Sequence, residues 1–202
     1  MTSIKKLLLP LFVVSATIVI ITSCKKSDDG TGNGGFAGFD ATLSDLTFKL
    51  PPIPNFILIS GIPVPISTFP EQQIPGDFHQ HFDLDSLVRI NTANTFTAAD
   101  VTSIKVKTMT IVAKNAKPTS NLSAFETARF EFFSDFNTTP VEVMKYSFAN
   151  VYTDSISYTP TAAPELRGYL NGKELYYKIY GKMRTGTSDT LKLSIRAIVT
   201  VK

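Results

Sequence analysis

Toward the C-terminus the chain alternates strictly between apolar and polar positions. Leu175, Tyr177, Ile179, Gly181 and Met183 take one phase, while Tyr176, Lys178, Tyr180, Lys182 and Arg184 take the other. The pattern then repeats, with Leu191, Leu193, Ile195, Ala197, Val199 and Val201 set against Lys192, Ser194, Arg196, Thr200 and Lys202. A period of two with one apolar face is the signature of half-buried β-strands. "TGTSD", Thr185 to Asp189, supplies turn residues between them, so a C-terminal hairpin is expected. Its polar face would interleave Lys178, Lys182, Arg184, Lys192 and Arg196 with Tyr176 and Tyr180, a surface on which rings stack on sugars and cations meet phosphate or carboxylate. A solvated antiparallel face has the same composition.

Further strands are expected over about 102–113, 124–134, 141–148 and 154–159, separated by loop chemistry in "KNAKPTSN" and "DFNTTP". In the first of these the apolar phase slips from Ile104 and Val106 to Met109 and Ile111, which predicts a bulge near Lys107 or Thr108, because one extra residue exchanges the faces. Short helices are expected in "DLDSLVRINTAN", where Leu84, Leu87 and Val88 have helical spacing, and in "APELRGYLNG", with Pro164 at its start and Gly172 at its end. Many short strands with turn-rich joints predict an all-β fold, an antiparallel β-sandwich with one or two short helices in its connections. The segment from "VTSIKVKTMTIVAKN" through "NLSAFETARFEFFS" resembles the sandwich of LEA type 2 and WHy proteins, which implies the same architecture.

Residues 51 to 70, "PPIPNFILISGIPVPISTFP", carry no charge. Prolines bar a membrane-spanning helix there, and Ser60-Gly61 suits a two-residue turn between "NFILI" and "IPVPI". In such a hairpin Ile59 opposes Ile62 and Ile57 opposes Val64, so the amide nitrogens of residues 52, 54, 56, 58, 63 and 65 point outward. Pro52, Pro54, Pro63 and Pro65 all fall on outward positions, where a missing N–H breaks no hydrogen bond within the hairpin. One face carries Ile57, Ile59, Ile62, Val64 and Ile66; the other carries Phe56 and Leu58 beside Pro63 and Pro65. Two fates suit this: a strap that closes one end of the sandwich and buries both faces, or a projecting arm whose apolar surface, with Phe56, Ile57, Leu58 and Val64, meets a membrane or a partner.

The chain opens with Lys5 and Lys6, an apolar run from Leu7 to Ile21 and then Thr22-Ser23-Cys24, the layout of a secretory signal over residues 1–23. Ile21-Thr22-Ser23-Cys24 resembles the bacterial lipobox, which implies cleavage before Cys24 and its acylation. Cys24 is the single cysteine, so no disulfide is expected in the mature chain. "KKSDDGTGNGGFAGFD" follows, with Asp28 and Asp29 a few residues past the cysteine. This resembles lipoproteins of Bacteroidota-type bacteria, where such an acidic pair accompanies display on the outer leaflet. The resemblance implies outer-membrane anchoring through acyl chains at Cys24. Residues 24–40 are expected as a Gly-rich tether and 41–202 as one domain.

Charge and candidate chemistry narrow the function classes. Loss of the leader removes Lys5 and Lys6 and leaves 18 basic against 17 acidic residues, without the basic footprint that nucleic acid requires. "DFHQHFDLD" holds both histidines, and on a strand His79, His81 and Asp83 would share a face, a potential three-ligand zinc site for a metal-dependent hydrolase; a solvated strand face alternates in the same way. Glu126 and Glu131, five apart, are expected on opposite faces and so not as an acid–base pair. No Gly-x-Ser-x-Gly elbow, free thiol after lipidation or phosphate-cradling loop is present. "DDGTGN" lacks the spaced acidic ligands and closing Glu of a calcium loop. The expectation is a noncatalytic, cofactor-free binding or scaffolding module at the cell envelope, with an envelope protein or glycan as partner; the alternatives are the metal-dependent hydrolase and a structural subunit of a surface assembly.

Overall fold

The computed structural model describes residues 36–202. The leader, Cys24 and the tether up to residue 35 lie outside the described residues. Eleven strands and one helix follow in the order β1 (Phe39–Leu50), β2 (Phe56–Ile59), β3 (Ile62–Pro65), β4 (Gln72–Gln73), β5 (Phe78–His81), α1 (Leu84–Asn91), β6 (Ile104–Ala113), β7 (Phe125–Ser134), β8 (Val141–Ser147), β9 (Ser155–Tyr158), β10 (Glu174–Met183) and β11 (Leu191–Val201). The fold is an all-β antiparallel sandwich. One sheet has the order β1-β11-β6-β9; the other has β4-β10-β7-β8, with β5 also paired to β10.

The two C-terminal strands form as their alternation requires, with Leu175, Tyr177, Ile179 and Gly181 buried on β10 and Leu191, Leu193, Ile195, Ala197, Val199 and Val201 buried on β11. They are not a hairpin. β10 pairs with β7, β4 and β5, whereas β11 pairs with β1 and β6, so the link through 184–190 crosses from one sheet to the other. A link of that length exceeds a tight hairpin turn and can span the ~10 Å between packed sheets. Crossing lets both apolar faces meet in one core. Phe130 and Phe132 of β7, Leu175 of β10, Met109 of β6, Ile195 of β11 and Leu46 of β1 are among its fully buried side chains.

The phase slip in β6 is a bulge at Lys107: Ile198 pairs with Thr108 and Val199 with Val106, leaving Lys107 as the extra residue. Ile104, Val106, Met109 and Ile111 are thereby all buried. A second bulge at Glu126, where Lys182 pairs with Thr127 and Met183 with Phe125, shifts the phase of β7.

Two boundaries differ from expectation. "APELRGYLNG" makes a single turn, with the Tyr169 and Leu170 amides both donating to the Leu166 carbonyl, rather than a helix. Its first residues are held at β6 instead: Glu165 bridges to Lys105, the Leu166 N–H donates to the Ile104 carbonyl, and Leu166 and Leu170 are buried. Backbone committed to a neighbouring strand cannot also close helical turns. The domain also begins before Ala41, because Phe36 packs on Phe39 and Phe96 with ring centroids 5.9 and 5.3 Å apart, and β1 starts at Phe39.

β1 gives the molecule two ends. At the near end lie Phe36, α1 and the C-terminal Lys202; at the far end β1 passes into the 51–70 segment, beside the links 114–124, 148–154 and 184–190. Twelve residues of strand separate the ends by about 37 Å.

Candidate interaction surface

The 51–70 segment forms the expected hairpin, β2 with β3, in the expected register: Ile59 opposite Ile62, Leu58 opposite Pro63, Ile57 opposite Val64 and Phe56 opposite Pro65. Ser60 and Gly61 turn with φ of 52° and 81°, the left-handed pair of a type I′ turn, whose twist matches that of the strands it joins. β2 and β3 join neither sheet of the sandwich. The hairpin is rooted through Ile53, which exchanges backbone hydrogen bonds with Thr187 at 3.1 and 2.8 Å, and through Asn55, whose Oδ1 accepts from the Gly186 N–H at 2.7 Å. Pro63 and Pro65 leave the outer edge of β3 without donors, which disfavours its pairing with a sheet.

Its apolar side chains are not buried. Leu58 is 71% exposed, Ile62 65%, Phe56 57% and Ile59 41%, while Ile57, Val64 and Ile66, nearer the root, are half-buried. The hairpin therefore does not bury both faces, as a strap would require. Lone exposed leucines are ordinary, but a contiguous uncharged surface on both faces of one hairpin is not.

The expected polar face divides. Tyr176, Lys178, Tyr180 and Lys182 lie on the outer face of the five-stranded sheet, whereas Lys192 and Arg196 lie on the outer face of the other sheet, on the opposite side of the molecule. Most of its cations are engaged within the fold. Lys182 pairs with Glu126 at 2.8 Å, Arg196 with Asp45 at 2.7 Å, and Arg129 with both Glu71 at 2.8 Å and Glu131. Burial alone would lower the Arg129 pKa, yet the Glu71 and Glu131 carboxylates hold it raised; burial and the Glu131 charge raise that of Tyr180, over whose ring the guanidinium sits at 3.8 Å. Arg184 lies at the far end, its guanidinium donating to the carbonyls of Ser123, Phe125, Phe148 and Ala149. The rings of this face pack on one another: Tyr176 stacks on Phe133 at 5.1 Å, His79 lies 5.9 Å from Tyr176, and the Lys178 ammonium sits 5.2 Å from the Phe133 ring. Phe133 was legible from its polar phase in "RFEFFS".

His79 and His81 share the exposed side of β5, as their spacing requires, but Asp83 does not join them. It is the N-cap of α1, its Oδ1 accepting from the Ser86 N–H at 3.0 Å, and that bond, reinforced by the Ser86 hydroxyl, lowers its pKa. His79 faces Asp77 and His81 faces Glu174, each at 3.2 Å. Among the described residues no three His, Asp or Glu side chains gather closely enough to hold a metal ion. The glutamates expected on opposite faces reach the same one: the bulge turns Glu126 outward to Lys182, while Glu131 pairs with Arg129. Each is bonded to its own cation rather than to the other. Between the sheets a cavity of about 20 Å³, lined by Phe48, Ile111, Ile179 and Leu193 among others, is apolar and water-sized. Ligand pockets are larger by an order of magnitude.

The chain matches no protein-family model, and no curated protein matches it significantly.

Proposed function

We propose that this protein is a noncatalytic, lipid-anchored binding or scaffolding module of the outer membrane, held there through Cys24, with the β2–β3 hairpin as its contact surface. The observation that carries the contact surface is the exposure of Phe56, Leu58, Ile59 and Ile62 on an uncharged arm. Folding leaves such a surface in water only at a cost, since each large apolar side chain withdrawn from water is worth about 1.5–3 kcal/mol. The anchor rests on the leader and the Ile21–Cys24 motif. The glycan reading loses support because its cations lie on two sheets, and the hydrolase reading loses it because Asp83 caps a helix.

A photo-crosslinking side chain at position 58 of the native full-length protein, in its own envelope, should give adducts that the same probe at Phe136, near the other end, does not. Equal adducts at both positions, or none at 58, would remove the hairpin from this role. Cys24→Ser should accumulate a heavier precursor without acyl label; a variant that is still processed and acylated refutes the anchor.

A further inference from the structure

We infer that the far end of the sandwich docks on a lipid bilayer bearing anionic headgroups, with the hairpin entering the apolar layer. This rests on the hairpin being a contact surface and names its occupant. Three observations converge. First, of the eight exposed large apolar side chains among the described residues, six lie at one end, where Phe56, Leu58, Ile59 and Ile62 of the hairpin are joined by Val151 and Tyr152 of the 148–154 link; Ile90 and Phe136 lie at the other.

Second, a row of lysines stands at the hairpin's root. Lys49 lies one residue before Leu50, the last of β1, and is the cross-strand partner of Lys192, whose carbonyl accepts from the Lys114 N–H at 2.8 Å. All three are exposed, and none has an ion-pair partner among the described residues. Like charges directly opposite one another on a sheet oppose folding, so this row does not exist for stability. Two carboxylates of this end have their own cations, Asp189 with Lys117 at 3.3 Å and Glu126 with Lys182, and Asp154 alone, bonded to the Ser155 hydroxyl, stands against the three lysines. The end is therefore positive as well as apolar. An apolar hairpin with a row of lysines at its root fits acyl chains beneath anionic headgroups, and each lysine near such a surface strengthens binding about fivefold.

Third, the prolines lessen the backbone cost of entering the apolar layer. Every peptide N–H left without a partner there is costly, which is why open strand edges avoid the bilayer interior. Here Pro63 and Pro65 have no N–H on the outward positions of β3, and Pro52 and Pro54 have none on the approach to β2; only Phe56 and Leu58 retain an outward donor on those edges. The prolines also deny the outer edge of β3 both of its donors and so disfavour strand addition there, whereas β2 keeps those of Phe56 and Leu58.

The chain has no tryptophan, so Leu58→Trp introduces a single reporter at the tip. The full-length variant is reconstituted in phosphatidylcholine vesicles with and without phosphatidylglycerol. Brominated lipid is placed in the host vesicles or only in added empty ones, because the tip lies at the end of the sandwich opposite Phe36. The expected result is blue-shifted emission, quenched by brominated lipid from either source and dependent on phosphatidylglycerol, with Phe136→Trp unquenched. The triple variant K49Q/K114Q/K192Q should weaken tip binding on the order of a hundredfold while keeping the β-sheet circular dichroism. An unquenched indole at position 58 in folded protein overturns the inference, and so does quenching indifferent to phosphatidylglycerol and to the lysines. Protein adducts at position 58 without lipid quenching would refute the bilayer while leaving the hairpin as the contact surface.

Discussion

Tyr177 is completely enclosed, and burial pushes its phenol pKa far up, offset in part by the nearby Ser44 hydroxyl. The two oxygens nevertheless do not meet hydrogen-bond geometry, and both are buried without a partner among the described residues. A buried hydroxyl without a partner forfeits its hydration and gains nothing in exchange, a loss of about 1–3 kcal/mol. Tyr177→Phe keeps the ring against Phe130 and Phe132 and removes that loss. It should be neutral or stabilising by about 1 kcal/mol in urea denaturation, and a clear destabilisation would show that the hydroxyl is satisfied. Around α1, three carboxylates hold pKa values below the ordinary range. Ser86 lowers Asp83, Arg89 and then the Ala98 N–H lower Asp85, and Thr97 lowers Asp100. A depressed folded pKa stabilises above the unfolded value and loses its effect as pH falls through the folded one. The contribution of these carboxylates should therefore be constant down to about pH 5 and be lost progressively below it, as aspartate in the unfolded chain protonates. Urea titrations at several pH values, with D83N/D85N/D100N expected to flatten the decline, test this.

At the scale of elements the hairpin depends on a residue distant in sequence. Gly186 sits against its root so closely that an added Cβ would lie 2.2 Å from the Ile53 carbonyl oxygen and 2.7 Å from the Asn55 nitrogen. Gly186→Ala must therefore displace the backbone at Ile53 and Asn55, breaking the Ile53–Thr187 exchange and the bond from the Gly186 N–H to Asn55. The expected outcome is local: amide protons of Ile53 and Thr187 lose protection in hydrogen exchange by about tenfold or more, while those of β7 and β10 keep theirs. Uniform loss of protection across the sandwich would mean that the root is part of the global folding unit. The turn itself needs nothing from the domain, since Ser60-Gly61 already has the type I′ conformation that the register demands.

For the molecule as a whole, the N-terminal boundary decides what folds independently. Phe36 packs with Phe39 and with Phe96, and Asp40 accepts from both Lys107 and Thr200. A chain starting at Ala41 discards these contacts, whereas one starting at Phe36 keeps them. The longer form should be the more stable by about 2–4 kcal/mol, measured as a higher urea midpoint with an unchanged slope. Equal midpoints would place residues 36–40 outside the cooperative unit.

Much of this architecture was legible in the chain alone. Alternation placed β6, β7, β8, β9, β10 and β11, the phase slip located the bulge at Lys107, and the Pro pattern around Ser60-Gly61 specified the hairpin down to its residue pairs. These are local properties, set by the two-residue period of a strand and the backbone limits of proline and glycine. Other features were decided only by tertiary structure. Alternation says which face of β10 and β11 is buried but not which strand lies beside it, so their assignment to opposite sheets, and with it the division of Lys178 from Arg196, depended on how both apolar faces could meet in one core. Asp83 has the strand phase of His79 and His81, yet the helix that begins at Leu84 claims its carboxylate first. An uncharged stretch serves a strap and an arm equally well; whether Leu58 is covered depends on what the rest of the fold places beside it, and here the sheets close without it.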